Sequence, residues 1–315
     1  MIMGTGFNLL LAALVISVAV LSITTRDSFT SVVAYVAYGL LLALVWVRIA
    51  APDVALTEAA IGSGVTGGLL LSGTARLLRT LPVTAYERPG LAVRALAAAL
   101  CVLVAMGLAG VVLLLPEPAP TLAPAAAASL SGTGLGNPVA AVLVVYRGVD
   151  TLLESVVLVL ALLGVWSLAP DRLWGGRPGS PSSVDSDSAL TLLAQFLTPI
   201  GIVIGLHIFW VGSQAPGGEF QASAILAAMW ILAMMAGLVD APAISRIWLR
   251  ILIVFGPIVF MGIGFAGFAV ADNFLAYPPN AAKPLILFIE VALMLSIAVM
   301  LGLLVLGGPA RQERS

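Results

Sequence analysis

The sequence predicts an all-α, polytopic integral membrane protein with about nine transmembrane helices. Of its 315 residues, 61% are hydrophobic and only 9% are charged, whereas a soluble domain carries about 25% charged residues. The apolar residues are gathered into runs of about 20, the length at which a helix crosses a bilayer. The single cysteine, Cys101, lies within such a run, so an intramolecular disulfide is excluded and we expect a packing role.

Nine apolar runs are predicted to cross the membrane. The first lacks the basic flank of a signal peptide and is therefore expected to be a retained helix. The runs cover residues 5–24, 30–50, 53–72, 91–115, 148–169, 190–212, 219–239, 247–270 and 284–306. The fifth is ambiguous, because the preceding residues 138–146 are also apolar. That piece is either a short lateral helix or the start of a crossing that begins near Val139 and bends at Gly148.

The basic residues predict the orientation. Of the 14 Lys and Arg residues, eleven fall on one side of the nine-helix scheme; only Arg48, Arg147 and Lys283 fall on the other. By the positive-inside rule, the N-terminus is outside and the C-terminus is cytoplasmic. Eight acids then lie on or toward the outer half, where they would raise the local concentration of cations. They are Asp53, Glu58, Glu117, Asp150, Glu154, Glu219, Asp272 and Glu290.

Two connections interrupt the apolar rhythm. Residues 116–138 form an outer loop rich in Ala, Pro and Gly. Residues 170–188 are polar and rich in turn-forming residues, which predicts a cytoplasmic linker and the best domain boundary in the chain.

The stretch around Arg147 places ionisable side chains at the start of an apolar run. Arg147, Asp150 and Glu154 recur, with Thr151 between them, at a spacing that puts them on one face of a helix. A charge near the bilayer centre costs about 2.5–3.5 kcal/mol, so this face predicts a polar partner surface or a watery cavity. The alternative is an Arg147–Asp150 ion pair that caps a helix at the membrane edge. That alternative does not account for Glu154, which lies deeper.

The third run carries two acids with different expectations. Asp53 directly follows Pro52 and is well placed to cap the helix. Glu58 lies about one and a half turns further in, where capping no longer explains it. An acid at this depth is a candidate for the ion or proton pathway.

Three further residues complete the candidate pathway. His207 is the only histidine, and imidazole chemistry suits proton transfer, although a neutral buried imidazole explains the residue equally well. Glu219 follows a Pro-Gly-Gly turn, where it suits a helix start and could line an outer vestibule together with Gln221. Glu290 lies about two turns into the last run, unaccompanied by another charge. No metal-ligand spacing, cofactor fingerprint or nucleic-acid footprint is present, so we expect no metal and no cofactor.

Three segments resemble components of known membrane complexes. Residues 1–75, with APDVALTEAAIGSG at 51–64, resemble a subunit shared by Mrp-type cation/proton antiporters and membrane-bound hydrogenases. Residues 91–169 resemble the adjoining small subunit and its (F/Y)RG(F/Y)DTLxE motif, which here reads YRGVDTLLE. Residues 189–306, with HIFWVGSQAPGGEFQASAILAA at 207–228, resemble the B-type subunit of the antiporters and its PGGGFQGG turn. The departures are Val149 for an aromatic residue, Glu219 for a glycine, and Ala222 and Ser223 for Gly-Gly.

The resemblance implies a domain order and a function. The order is a region of three helices at 1–75, a region of two helices at 76–169, the linker at 170–188 and, at 189–315, a domain of four helices like the B-type subunit. The implied function is that of a non-enzymatic subunit of a multisubunit cation (Na⁺)/proton antiporter in the plasma membrane of a prokaryote. The alternatives are the membrane arm of a hydrogenase-like or complex I-like redox-driven pump, and a non-conducting scaffold.

The resemblance also implies roles and partners. Glu58, Asp150 and Glu154 would relay protons or hold Na⁺, while Arg147 would tune them and His207 would serve as a shuttle. In the family, larger subunits with intramembrane lysines carry much of the ion path, whereas the only lysine here, Lys283, is in an outer loop. The expected partners are therefore other membrane subunits, together with Na⁺, H⁺ and the bilayer, and no nucleic acid.

Overall fold

The computed structural model describes residues 2–80, 90–118, 120–179, 189–278 and 280–309, and these residues form helices joined by turns and short loops. The first region contains α1 (Ile2–Thr24), α2 (Ser28–Arg48), α3 (Pro52–Thr57), a π-helical turn (Glu58–Val65) and α4 (Thr66–Thr80). The middle contains α5 (Leu91–Leu114), α6 (Ala123–Ser129), α7 (Pro138–Ala141) with a second π-helical turn (Val142–Tyr146), and α8 (Gly148–Ser167). The last part contains α9 (Ala189–Gly212), α10 (Glu219–Met235), α11 (Ile247–Ala271) and α12 (Ala282–Leu306).

Within the described residues, eight helices are long and apolar enough to cross a membrane. This finding confirms the all-helical class and eight of the predicted runs. The predicted crossing at 219–239 forms α10, which has only 17 residues. A ninth candidate is instead a pair of short helices, Ala123–Thr133 and Pro138–Tyr146, that meet at an angle of 91°. The predicted orientation of the termini remains a prediction.

The ambiguity before the fifth crossing is resolved by a hydrogen bond that folds the chain back on itself. The Thr151 hydroxyl donates to the Leu143 carbonyl oxygen at 2.6 Å, although eight residues of straight helix would separate them by about 12 Å. Arg147 has non-helical torsions (φ −128°, ψ 32°) between the second π-helical turn and α8. Residues 138–146 are therefore a separate short piece, and α8 begins at Gly148.

Helix α12 lies at the centre of the molecule. It packs against α8, α10 and α11, and 61% of its most apolar window is buried. Two serine hydroxyls fix the packing: Ser296 on α12 donates to the Ile253 carbonyl of α11 at 2.6 Å, and Ser223 on α10 donates to the Met294 carbonyl of α12 at 3.0 Å. By contrast, α5 has no buried residue, so its whole apolar surface faces outward.

The segment after α8 is held against the last part of the chain. The Arg177 guanidinium forms an ion pair with Asp240 at 2.9 Å, and the Ile244 amide donates to the Gly176 carbonyl at 2.9 Å. Pro178 forms an isolated bridge with Pro309. The first half of the predicted linker thus lies on the α10–α11 connection and the end of α12. Residues 180–188 lie outside the described part of the chain.

Candidate functional site

Asp53 is the centre of a buried hydrogen-bond network rather than a helix cap. The N-cap of α3 is Ala51, which makes no side-chain cap, so the predicted capping role of Asp53 is wrong. Only 7% of Asp53 is exposed. Its Oδ1 accepts from the Gly217 amide at 3.0 Å and from Asn137 Nδ2 at 3.3 Å. A buried carboxylate needs such donors, and here they come from two distant parts of the chain.

Asn137 and Gln221 extend this network, which we call the Asp53 network (Asp53, Asn137, Gly217 and Gln221). Asn137 Nδ2 also lies within donating distance of the Gly212 and Ala215 carbonyls, at 3.0 and 3.1 Å. Gln221 Nε2 donates to Thr57 Oγ1 at 2.9 Å. The first and last recognisable motifs of the sequence therefore meet at one buried place, together with Asn137 from the middle region. The expected vestibule role of Gln221 is not observed, because the side chain is 7% exposed.

The turn before α10 depends on glycine. Gly217 and Gly218 have φ angles of 147° and 144°, a region that favours glycine. A Cβ on Gly212 would lie 2.6 Å from Gly218 Cα. The turn is thereby packed closely enough for the Gly217 amide to reach Asp53.

Arg147 and Asp150 form the ion pair that the sequence left open as an alternative. Both side chains are well exposed, at 71% and 48%. Arg147 lies in the break before α8, so it does not share a helical face with Glu154. Asp150 and Glu154 do share that face, one turn apart on α8.

Glu154 faces a cavity of about 580 Å³. We call it the Glu154 cavity; its other walls come from α8, α10, α12 and the first π-helical turn. They include Asp150, Leu153, Phe220, Ile297, Leu301 and Ile61. A space therefore adjoins Glu154, but its lining is mostly apolar, and its filling with water stays a prediction.

Glu219 and Glu290 lie behind this cavity and are almost fully buried, at 3% and 2% exposure. Glu219 Oε1 has no hydrogen-bond partner among the described residues. The Ser223 hydroxyl on α10 donates a hydrogen bond to the Met294 carbonyl on α12. Ser223 comes one turn after Glu219, and Met294 comes one turn after Glu290. The two acids therefore lie side by side between α10 and α12. Glu219 also lies within electrostatic range of Glu154 and Glu290.

We call Glu154, Glu219 and Glu290 the glutamate row. Glu290 is not alone: Lys283, expected in a loop, lies in the first turn of the same helix, and Glu219 lies beside Glu290 in space. Glu219 is buried rather than part of an open vestibule. The row comes from three helices, which explains why no single stretch of sequence reveals it.

Glu58 and His207 do not line the Glu154 cavity. Glu58 begins the first π-helical turn, and its Oε1 would lie 3.1 Å from a Cβ on Gly39. His207 is exposed on α9 and makes no ion pair within the described residues. The buried Ser63 hydroxyl, which also faces Gly39, has no hydrogen-bond partner among the described residues. Within the described residues, no three His, Cys, Asp or Glu side chains come together as metal ligands would.

Tyr277, in the connection between α11 and α12, is a polar neighbour that the sequence did not reveal. Its hydroxyl donates to the Val144 carbonyl at 3.2 Å. Burial, and to a lesser degree the charge of nearby Glu290, raise the pKa of Tyr277 above its ordinary value. The phenol therefore stays protonated at neutral pH. Tyr277 also lines a second cavity of about 320 Å³, together with Tyr146, Thr133, Ala282 and Ile286.

Two family models match the chain on either side of the 170–188 segment. The MbhD model, which describes one subunit of MBH, matches residues 13–79. A model described as "Domain related to MnhB subunit of Na+/H+ antiporter" matches residues 189–310. These matches confirm the predicted resemblance of the first and last regions. No curated protein matches the chain significantly.

Solved structures share the fold. A chain of the Mrp complex from Dietzia sp. DQ12-45-1b has a TM-score of 0.72 and 25% identity, over 97% of this chain and 35% of that chain. The present chain thus spans about a third of the Mrp chain that it matches. A chain of the membrane-bound sulfane sulfur reductase, an archaeal respiratory membrane complex, has a TM-score of 0.50 and 22% identity, over 68% of this chain and 99% of that chain.

Proposed function

The chain joins an MbhD-type region and an MnhB-related domain in one polypeptide, and we propose that it serves as a membrane subunit of a multisubunit cation/proton antiporter of the Mrp type. The complex would lie in the plasma membrane of a prokaryote and exchange Na⁺ for H⁺. The likeness to an Mrp chain over 97% of this sequence supports the proposal. Since this chain spans only 35% of that one, we propose that other subunits complete the ion path.

The glutamate row is the observation that carries the proposal. An ionised carboxylate oxygen that is buried without a cation or a hydrogen-bond donor is strongly disfavoured, and Glu219 Oε1 has no partner among the described residues. We therefore propose that Glu219 rests as a neutral acid or with a bound cation. Glu154 stands between this buried acid and the Glu154 cavity. The row can therefore load a proton or Na⁺ from the cavity and pass it between helices.

The remaining candidate residues take different places in this proposal. Asp150 lines the Glu154 cavity and is paired with Arg147, and this ion pair would set the local charge rather than conduct. Glu58 would act at a separate point of the path, beside α2. His207 faces outward, so it would pass protons only to or from a partner subunit.

Glu154→Gln tests the proposed function directly. The change keeps size and hydrogen bonding but removes proton exchange, so we expect normal assembly and a loss of about ten-fold or more in cation-dependent proton flux. Flux and subunit content are measured on the same everted vesicles of the complete complex. Glu154→Asp, which shortens the side chain by one methylene, should retain part of the flux.

Glu117→Gln is the matched control, because Glu117 is exposed and distant from the cavity in sequence. It should assemble and transport like the parent. Parental flux in a normally assembled Glu154→Gln complex would refute the relay and favour the scaffold role.

A redox-driven ion pump is the second candidate function. The match to the MbhD model and the likeness to a respiratory membrane complex favour it. The purified complex distinguishes the two candidates: iron–sulfur subunits and flux that requires an electron donor indicate a pump, whereas flux driven by a cation gradient alone indicates an antiporter.

A further inference from the structure

Glu290 lies between two cavities along α12. The Tyr277 cavity, defined by Tyr277, Tyr146, Thr133, Ala282 and Ile286, reaches α12 at Ile286. The Glu154 cavity reaches the same helix at Ile297. At 1.5 Å per residue, Glu290 lies about 6 Å along the axis from Ile286 and about 10 Å from Ile297. The only acid of α12 thus separates one cavity from the other.

The side chains on either side of Glu290 are polar. Toward the Glu154 cavity lies Glu219, whose Oε1 is buried and unpartnered within the described residues. Toward the other cavity lies Tyr277, which is close enough for the two groups to interact electrostatically. Its hydroxyl hydrogen points to the Val144 carbonyl, so the lone pairs of the oxygen remain free to accept a hydrogen bond from Glu290.

We propose that Tyr277 is the outlet of the glutamate row, through which protons pass between Glu290 and the Tyr277 cavity. This inference rests on the proposed function, because it extends the same proton path to a second opening. The phenolic hydroxyl first turns from the Val144 carbonyl to water in the cavity. The neutral carboxyl group of Glu290 then gives its proton to the Tyr277 oxygen while the phenolic proton leaves to that water. The phenol is neutral before and after the step. Glu290 becomes a carboxylate and regains a proton from Glu219.

The reverse sequence loads the row from the Tyr277 cavity. Because the phenol stays protonated throughout, no phenolate accumulates and the step needs no nearby base. Charged groups beside the row among the described residues are Asp150, one turn before Glu154 on α8, and Arg147, which is paired with Asp150. Lys283 lies on α12, seven residues before Glu290.

Tyr277→Phe tests the outlet, with Tyr146→Phe as the matched control. Both tyrosines line the same cavity, and each hydroxyl donates to one backbone carbonyl: Tyr277 to Val144 and Tyr146 to Ala126. We expect the complete complex with Tyr277→Phe to assemble and lose about ten-fold or more of its proton flux. Tyr146→Phe should transport like the parent. Equal flux in the two assembled variants would overturn the proposal.

A second measurement acts after assembly. Gly132 lines the Tyr277 cavity, and a Cβ there would meet nothing within 4 Å. In a Cys101→Ala background, Gly132→Cys should transport normally until a bulky thiol reagent fills the cavity and blocks proton flux. Unchanged flux after complete labelling would overturn the outlet.

The failure of the outlet is distinguishable from the failure of the proposed function. If only the outlet is wrong, Glu154→Gln abolishes flux while Tyr277→Phe and the labelled Gly132→Cys complex transport normally. If the relay itself is wrong, Glu154→Gln also transports normally.

Discussion

At the scale of single residues, the candidate functional side chains stand out by their position in the fold and by hydrogen-bond partners that are missing or distant in sequence. Glu154 could be proposed from the sequence as a pathway residue, because an acid without a cation on its face of an apolar helix has few structural explanations. Asn137 and Tyr277 could not be found, since their roles arise from contacts with residues 84 and 133 positions away. An Asn before Pro predicts only a local cap, which Asn137 also provides to the Val139 amide.

The Asp53 network makes a prediction about stability. Asp53→Ala would leave the Gly217 amide and part of Asn137 buried without an acceptor, which costs about 1–3 kcal/mol per group. We expect a lower unfolding temperature of the purified complex, because the first region would pack less firmly against the MnhB-related domain. Asp27→Ala is the control, because Asp27 is an exposed cap that accepts from the Thr30 amide at 2.7 Å. Equal losses in the two variants would contradict a central role for Asp53.

At the scale of elements, apolar run length predicted most helices but not their interruptions. The eight long helices follow directly from runs of about 20 apolar residues. The two π-helical turns, Glu58–Val65 and Val142–Tyr146, leave no periodic signal in one sequence. Helix α6 was hidden by its Ala- and Pro-rich composition, which is equally typical of a flexible loop. The break at Arg147 depends on tertiary contacts of Thr151 and Gly148.

Gly148 allows α8 to begin against the α11–α12 connection. A Cβ there would lie 2.9 Å from Leu275 Cδ1 and 3.4 Å from Phe260 Cζ, so Gly148→Val should displace the start of α8 and with it Asp150 and Glu154. We expect a reduced yield of assembled complex and reduced flux per complex, measured on the same membranes. Gly164→Val on the same helix has open space around its Cβ and should resemble the parent. Parental assembly and flux in Gly148→Val would show that this close approach is dispensable.

At the scale of the whole molecule, charge distribution predicts the orientation. The excess of basic residues on one side places Ser131 outside and Ser182 in the cytoplasm; Ser182 lies outside the described residues. A cysteine at either position, in a Cys101→Ala background, can be labelled in whole cells by a membrane-impermeant thiol reagent. We expect labelling at 131 and not at 182. The opposite pattern would reverse the orientation.

The Asp53 network also has a consequence for how the protein is made. Asp53 and the Gly217 amide are 164 residues apart in the chain, so a ribosome delivers the acid long before its donor. During this interval Asp53 has to remain hydrated or be held by an insertion factor, because burial without donors is costly. We therefore expect α3 to settle late in biogenesis. Truncated products that end before Gly212 should be removed by quality-control proteases, although they contain complete apolar helices.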